Sequence, residues 1–312
     1  MLNINAKVQR IAVFSHIRPD GDTLGSMLGL ANSLISAGKT VEMFCDGEIP
    51  DTFCILAGCE LINATEFTAY DMLISVDCAD IFRLGRYRDV FLAHKKTLNI
   101  DHHITNTRFA VENCIRAAAS TCEIVYALIK DAGLPVDKRI AECLYSGILT
   151  DTGNFAQNNT TKESHIAAAE LIGYGLDIEF LSDTMLSLTS KEKLKLIAYG
   201  ISSMRFYSAE RICLILIRQA DLDRYGLKNT ETDGIIRYAI NCKGVLVGIC
   251  LTESAPDVFK VSLRSKRTVN IANAAAAFGG GGHKQAAGCV LSGPAEEVIE
   301  RIVRASELEI PL

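Results

Sequence analysis

Short apolar runs alternate with stretches of helical periodicity through the first half of the chain. Residues 11–15, 41–45, 72–76 and 97–100 read as strands, each short, mostly apolar and bounded by polar segments. Between the first two, Met27, Leu28, Leu30, Ala31, Leu34 and Ile35 recur at helical spacing over residues 25–37, closed by Gly38. Ser120-Thr121-Cys122-Glu123 fits a capping box ahead of the apolar run 124–129. Further helices are predicted over 140–149, 164–171 and 178–186. Strands alternating with helices imply right-handed crossovers, hence an α/β domain with a mostly parallel sheet and helices on both faces.

The second half reads differently. Residues 190–206 form one predicted helix, Lys-rich at its start and free of Pro, suited to a linker and hinge. Beyond it come a strand over 211–217, a helix over 234–240, strands over 245–251 and 259–263, a glycine-rich stretch and an amphipathic helix over 295–305. These predict a smaller α/β unit. The 312 residues therefore divide as 1–187, a linker 188–206, and 207–312, with an active site expected in the cleft between the two domains. There is no internal repeat, and 274–282 is the one low-complexity piece.

Composition narrows the classes. Hydrophobic residues make up 49%, ample for two cores. A formal charge of -5, from 32 basic and 37 acidic side chains, argues against a protein that binds long duplex nucleic acid by bulk charge. It leaves room for a local basic pocket. The 11 Cys are dispersed without a C-x-x-C pair, which predicts reduced thiols and a cytoplasmic protein rather than a disulfide framework or a zinc site. Residues 1–7 lack the apolar core of a signal peptide, and no uncharged apolar run approaches the ~20 residues of a membrane span.

Chemistry concentrates where the apolar runs end. His16, Asp20 and Asp22 follow the first strand, Asp77 the third, Asp101-His102-His103 the fourth, and Asp151 closes a later apolar segment. Parallel sheets bind ligands beyond the carboxyl ends of their strands, so these side chains are expected to face one crevice. Carboxylates with a few imidazoles suit a hard or borderline divalent cation, Mn²⁺ first, with Mg²⁺ or Co²⁺ as alternatives. Two Asp two residues apart can serve two ions if a third Asp bridges them, an arrangement suited to phosphate ester hydrolysis. Singly, each piece has a plainer reading: Pro19-Asp20-Gly21 is good turn sequence, Asp77 could cap the next element, Asp101-His102-His103 could be a surface turn, and Asp151-Thr152-Gly153 a helix stop. Their conjunction favours a shared site. His94 and His165 lack such company and read as solvated surface histidines.

These strings resemble the DHH phosphoesterase superfamily: residues 15–26 around His16-Ile17-Arg18-Pro19-Asp20-Gly21-Asp22, Val76-Asp77, Asp101-His102-His103 and Asp151-Thr152-Gly153-Asn154-Phe155. A fifth, Gly279-Gly280-Gly281-Gly282-His283, resembles the glycine-rich motif of the DHH-associated C-terminal domain. The compact two-domain layout is most similar to the branch of oligoribonucleases and pAp phosphatases. The resemblance implies that His16, Asp20 and Asp77 hold one Mn²⁺, and Asp22, Asp77, His102 and Asp151 the other, with Asp77 bridging. Asp101 would orient the cluster and His103 contact the scissile phosphate. By the same similarity Arg264 and His283 would bind the terminal phosphate or nucleotide, beside Ser265, Lys266 and the backbone N–H groups of Gly280, Gly281 and Gly282. A plainer reading of Arg264-Ser265-Lys266-Arg267 is a solvated basic turn, and of the glycines a tight connection.

The expected activity is metal-dependent hydrolysis of short oligoribonucleotides, such as dinucleotides, to mononucleotides, with pAp 3′-phosphatase activity alongside. Short RNA or pAp is the expected partner, no membrane is involved, and a homodimer is compatible. A manganese pyrophosphatase or exopolyphosphatase of the same superfamily is the rival enzyme, and a nucleotide-binding regulator the rival from another class. For the regulator, Gly21-Asp22-Thr23-Leu24-Gly25 is a poor match to a dinucleotide loop, because the middle glycine is absent.

Overall fold

The computed structural model describes residues 7–187, 189–232, 234–266 and 269–311. Arg267 of the basic turn, the first residue of the expected linker and most of the amino-terminal segment lie outside them. The chain divides into two compact units, Met1–Leu188 and Thr189–Leu312.

The first unit is built on five parallel strands, β1 (Arg10–Phe14), β2 (Thr40–Phe44), β3 (Met72–Val76), β4 (Thr97–Asp101) and β5 (Glu112–Ile115), in the order β2-β1-β3-β4-β5. Alternate residues of β1 enter different cores. Ile11 and Val13 join the layer formed with helices α1 (Gly21–Ser36), α3 (Thr121–Asp131), α4 (Lys138–Asp151) and α5 (Lys162–Ile172). Ala12 and Phe14 join an aromatic layer with Phe44, Tyr87 and Phe91, the last from the short helix α2 (Arg88–Ala93). Both faces are covered, as a parallel sheet requires, although among the described residues the second carries only α2 and the 3₁₀ segment Ile81–Tyr87 as helix. After α5 comes α6 (Ile178–Ser182), which runs into a π-helical turn, Asp183–Ser187, instead of continuing as one helix to 186.

Helix α1 begins at Gly21, four residues earlier than its apolar periodicity, because Asp20 caps it: Asp20 Oδ1 accepts the Thr23 N–H at 3.0 Å. The good turn sequence Pro19-Asp20-Gly21 is thus a helix start, with Asp22 in the first turn. Glycines at 21, 25 and 29 lie one turn apart and let α4 approach: Cβ atoms there would meet the Thr150 side chain, the Cys143 carbonyl and the Leu144 side chain. This draws the carboxyl end of α4, with Asp151, to the amino end of α1. Ser120 caps α3 by accepting the Glu123 N–H, but the Glu123 carboxylate accepts the Ser164 hydroxyl of α5, so the expected box closes on one side only.

The second unit holds a six-stranded mixed sheet of β6 (Arg205–Tyr207), β7 (Ile212–Ile217), β8 (Val247–Ala255), β9 (Val258–Ser265), β10 (Gly281–His283) and β11 (Ala286–Ser292), in the order β10-β11-β9-β8-β7-β6. The expected linker helix is α7 (Lys191–Ser202), ending short of Arg205–Tyr207, which is strand. Its Leu196 and Ile197 pack with β7, α8 (Gln219–Tyr225) and α9 (Ile236–Ile240), so α7 is part of this unit's core rather than a free hinge. The opposite face is covered by α10 (Ala272–Ala276) and α11 (Ala295–Glu307). None of the eleven cysteines is disulfide-bonded, and among the described residues no helix is long and apolar enough to cross a membrane.

The α1–α4 contact sets a first prediction. A Cβ at Gly25 would lie 2.5 Å from the Cys143 carbonyl, backbone that cannot rotate away. Gly25→Ala should destabilise the protein by about 1–3 kcal/mol, read as a lower urea midpoint.

Candidate active site

In the order β2-β1-β3-β4-β5 the chain leaves β1 toward one side and returns to build the other, so a crevice opens beyond the carboxyl ends of β1 and β3. His16 and Asp77 stand there, two residues and one residue past their strands, and Asp101 ends β4 beside them. Asp77 is held at φ 56°, left-handed backbone that a non-glycine residue adopts only when its surroundings enforce it. Its side chain is nearly fully buried and receives the Thr23 hydroxyl on Oδ2 at 2.6 Å and the Thr121 hydroxyl on Oδ1 at 3.0 Å.

Three elements converge on that carboxylate. His16 Nε2 lies 3.5 Å from Asp77 Oδ2 and 3.8 Å from Asp20 Oδ2. His102 Nε2 lies 3.6 Å from Asp77 Oδ1, 3.8 Å from Asp151 Oδ2 and 3.9 Å from Asp22 Oδ2. Asp22 itself is buried and accepts the N–H groups of Thr121 (2.6 Å) and Cys122 (2.9 Å), so the amino terminus of α3 caps a carboxylate from α1. Asp151 is positioned by the abrupt end of α4: Gly153, Asn154 and Phe155 are consecutively left-handed, and Asn159 donates to the Asp151 carbonyl at 3.0 Å.

The triplet of β4 divides its contacts. Asp101, fully buried, accepts His103 Nδ1–H at 2.8 Å and the His102 N–H at 2.9 Å on Oδ1, and the Asn106 amide at 2.6 Å on Oδ2. His102 Nδ1 faces the Ala118 carbonyl at 3.3 Å, which fixes the proton on Nδ1 and leaves the Nε2 lone pair toward the carboxylates. The His103 Nδ1 is 3.5 Å from Asp77, and 30% of its side chain is exposed.

The electrostatics follow from packing carboxylates together. Burial, then the charges of Asp77 and Asp151, holds the Asp22 carboxyl well above the usual carboxylate range, against the pull of its two N–H bonds. Burial lifts Asp151 to about 6, with Asp77 and Asp20 adding and His102 opposing. Burial also pushes Asp77 upward, but the neighbouring imidazole of His16, the Thr23 hydroxyl and His103 outweigh it and leave the carboxyl below its ordinary value. His103 is raised by its bond to Asp101, with burial opposing and Asp77 adding.

The donor atoms form overlapping groups: His16, Asp20 and Asp77; Asp22, His102 and Asp151; and Asp77 with Asp101, His102 and His103. Within each group the atoms lie within 4.8 Å of one another. The side chains fit divalent cations. His16 Nε2 is buried without a hydrogen-bond partner, aimed at two carboxylates, and the excess of carboxylate over imidazole calls for positive charge.

In the second unit Arg264 and His283 are exposed and share one face. The register pairs Arg264 with Ala286 and Ala286 with His283 across β9, β11 and β10, which sets the two roughly 10 Å apart over a small alanine. Arg264 also lines a cavity of about 340 Å³ with Thr252, Ser262 and Ile236. The neighbouring residues differ from expectation. Ser265 is buried and its hydroxyl donates to the Val269 carbonyl at 2.9 Å, while Lys266 Nζ reaches the Cys242 carbonyl at 3.4 Å. The N–H groups of Gly279 and Gly280 donate to Ala276 and Ala275, closing α10, so an uninterrupted row of free N–H groups is not formed. Glycine is required here for close strand approach: a Cβ at Gly280 would lie 2.2 Å from the Gly288 carbonyl.

Thr23, Thr121 and Asn106, which hold the carboxylates, were not singled out in the sequence; a Ser-Thr pair at a helix cap was the one visible signal. His94 is not simply solvated, since its ring bridges the Lys96 and Tyr70 carbonyls at 2.9 and 3.0 Å. His165 is exposed but stacked on Phe155, with ring centroids 5.0 Å apart.

Two family models match the chain: the DHH family N-terminal domain over residues 10–148, and the DHHA1 domain over 216–310. The chain is 33% identical over 307 residues to the bifunctional oligoribonuclease and PAP phosphatase NrnA of Thermus thermophilus, covering 96% of this chain and 90% of that protein. The crystal structure of an exopolyphosphatase-related protein from Bacteroides fragilis superposes with a TM-score of 0.90 at 28% identity, covering 97% and 93% of the two chains. The exonuclease RecJ bound to manganese shares the fold, with a TM-score of 0.53 at 14% identity and 98% and 91% coverage. The chain belongs to the DHH family, and the resemblance read from its motifs holds over nearly its whole length.

A binding prediction follows from the donor groups. Chelator-stripped protein should gain thermal stability when Mn²⁺ is added, by about 3 kcal/mol at a hundredfold excess over Kd. Asp77→Asn should abolish most of that gain, because Asp77 stands in two of the donor groups.

Proposed function

We propose that this phosphoesterase hydrolyses short oligoribonucleotides to mononucleotides, removes the 3′-phosphate of pAp, and uses two divalent cations, Mn²⁺ foremost. The observation that carries the reading is the position of Asp77, its two oxygens turned to His16 on one side and His102 on the other. Its relative from Thermus thermophilus, named for both activities, supports the substrate class.

When bound, divalent cations supply the positive charge that draws phosphate oxygens in and eases loss of a proton from water. The chain's own residues do the rest. His16, Asp20 and Asp77 form one ligand set, and Asp22, Asp77, His102 and Asp151 the other. The Thr23 and Thr121 hydroxyls fix the Asp77 carboxylate so that neither oxygen rotates away. Asp101 holds the His103 ring by Nδ1 and favours its protonated form, leaving Nε2–H to donate to the phosphate as charge develops. Arg264 and His283 hold the terminal phosphate or base of the substrate, Arg264 through its planar fork. Holding a terminal phosphate favours very short substrates.

The Bacteroides fragilis structure, described as exopolyphosphatase-related, makes polyphosphate the rival substrate. Side-by-side hydrolysis of pApA, longer RNA, pAp, pyrophosphate and polyphosphate with Mn²⁺ and with EDTA tests the proposal. It predicts fast cleavage of pApA and pAp; fast pyrophosphate or polyphosphate cleavage with inert pApA contradicts it. His103→Gln should lower kcat on pApA by roughly 10²–10³ while the stabilisation by Mn²⁺ persists.

A further inference from the structure

The chain that follows Asp77 out of β3 is tied to the loops on both sides of it. The Ile17 N–H, next to His16, donates to the Arg83 carbonyl at 2.8 Å, and the Thr107 N–H, beyond His103, donates to the Ala79 carbonyl at 2.8 Å. The Cys78 carbonyl accepts the side-chain amides of Asn99 and Asn106, each at 3.0 Å. Asp80 starts the 3₁₀ segment Ile81–Tyr87, its Oδ1 accepting the Phe82 and Arg83 N–H groups at 2.9 and 3.3 Å. The backbone of Arg83 is thereby anchored to the loop that carries His16.

Of the arginines along this stretch, two are already engaged. Arg86 Nε lies 3.3 Å from Asp46 Oδ1, and Arg88 Nε lies 2.8 Å from Asp89 Oδ1. Arg83 is half-buried, and among the described residues its guanidinium has neither a hydrogen bond nor an ion pair. Its charge nonetheless reaches the crevice: burial lifts the Cys78 thiol and the bond to Asp101 lifts His103, and Arg83 opposes both. Partial burial strips water from a fork of five N–H donors that no protein acceptor fills. An incoming anion recovers that cost.

We propose that Arg83 is a further catalytic residue, its guanidinium donating to non-bridging oxygens of the phosphate that His103 also contacts. This rests on the phosphoesterase reading above but not on the identity of the substrate, because any phosphate ester or anhydride drawn to the cluster presents those oxygens. His103 offers them one N–H. As negative charge gathers on them during attack, the permanently charged, planar fork of Arg83 adds donors whose bonds strengthen with that charge. The two arginines then divide the substrate, Arg83 at the bond that breaks and Arg264 at the terminal phosphate or base.

The test uses the full chain loaded with Mn²⁺, with pApA and with bis(p-nitrophenyl) phosphate, a diester lacking both terminal phosphate and base. Arg83→Gln should lower kcat on both by roughly 10²-fold and weaken inhibition by orthophosphate about tenfold. Arg83→Lys, which keeps the charge without the fork, should recover about tenfold of the lost rate. Arg86→Gln removes an equal charge from the same 3₁₀ segment and should leave kcat unchanged. Thermal stabilisation by Mn²⁺ should persist in every variant, which also shows that each folds. A wild type that ignores pApA but cleaves the diester contradicts the oligoribonuclease reading, while a loss on the diester in Arg83→Gln still supports the role of Arg83. A kcat for Arg83→Gln within about twofold of wild type on each substrate that wild type cleaves, an equal loss in Arg86→Gln, or a loss matched by lost Mn²⁺ stabilisation would overturn the proposal.

Discussion

Three buried carboxylates organise the rest of the first unit: the Asp77 charge raises the cost of ionising Asp22, and Asp101 brings an oxygen within 4.8 Å of Asp77. An uncompensated buried charge costs several kcal/mol, so each is answered locally. The amino terminus of α3 answers Asp22, two threonine hydroxyls answer Asp77, and His103 with Asn106 answers Asp101. What these contacts leave unmatched is directional: His16 Nε2 has no partner, and the His102 Nε2 lone pair points at carboxylates. That residue of unmet charge is the physical basis of the metal site.

The fold exists in the form that gathers these groups. Parallel strands place three loops at one edge, and the glycines of α1 let α4 come close enough to add Asp151 from 74 residues beyond Asp77. Left-handed backbone at Asp77 and after α4 is strain retained where it aims a functional side chain. In the second unit the same logic uses strand register: Arg264 and His283 lie far apart in sequence but in one cross-strand row.

Strands β1 and β3 were legible because both faces are buried, which makes each a nearly continuous apolar run; β4 is buried throughout, and β2, exposed or half-buried over its first three residues, still ends on the buried pair Met43 and Phe44. The edge strand Glu-Asn-Cys-Ile is half exposed and shows no such run, and Arg205-Phe206-Tyr207 follows a helix closely enough to be read as its last turn. The chemistry-bearing acids and histidines were visible as residues at the ends of apolar runs, and the structure brings them together. The groups that hold them were not visible, because Asp22 and the N–H groups it accepts are about a hundred residues apart. The glycine-rich stretch misled in part: its composition suggested a row of free N–H donors, whereas two of them close α10 and the remainder form strand.

The central claim is that Asp77 joins two cation sites, and metal stoichiometry tests it most directly. Titration of chelator-stripped protein with Mn²⁺ should give two ions per chain, falling to one in His16→Ala, whose loss leaves Asp22, His102 and Asp151 in place. A single ion in wild type, or two ions undiminished by His16→Ala, would contradict the account.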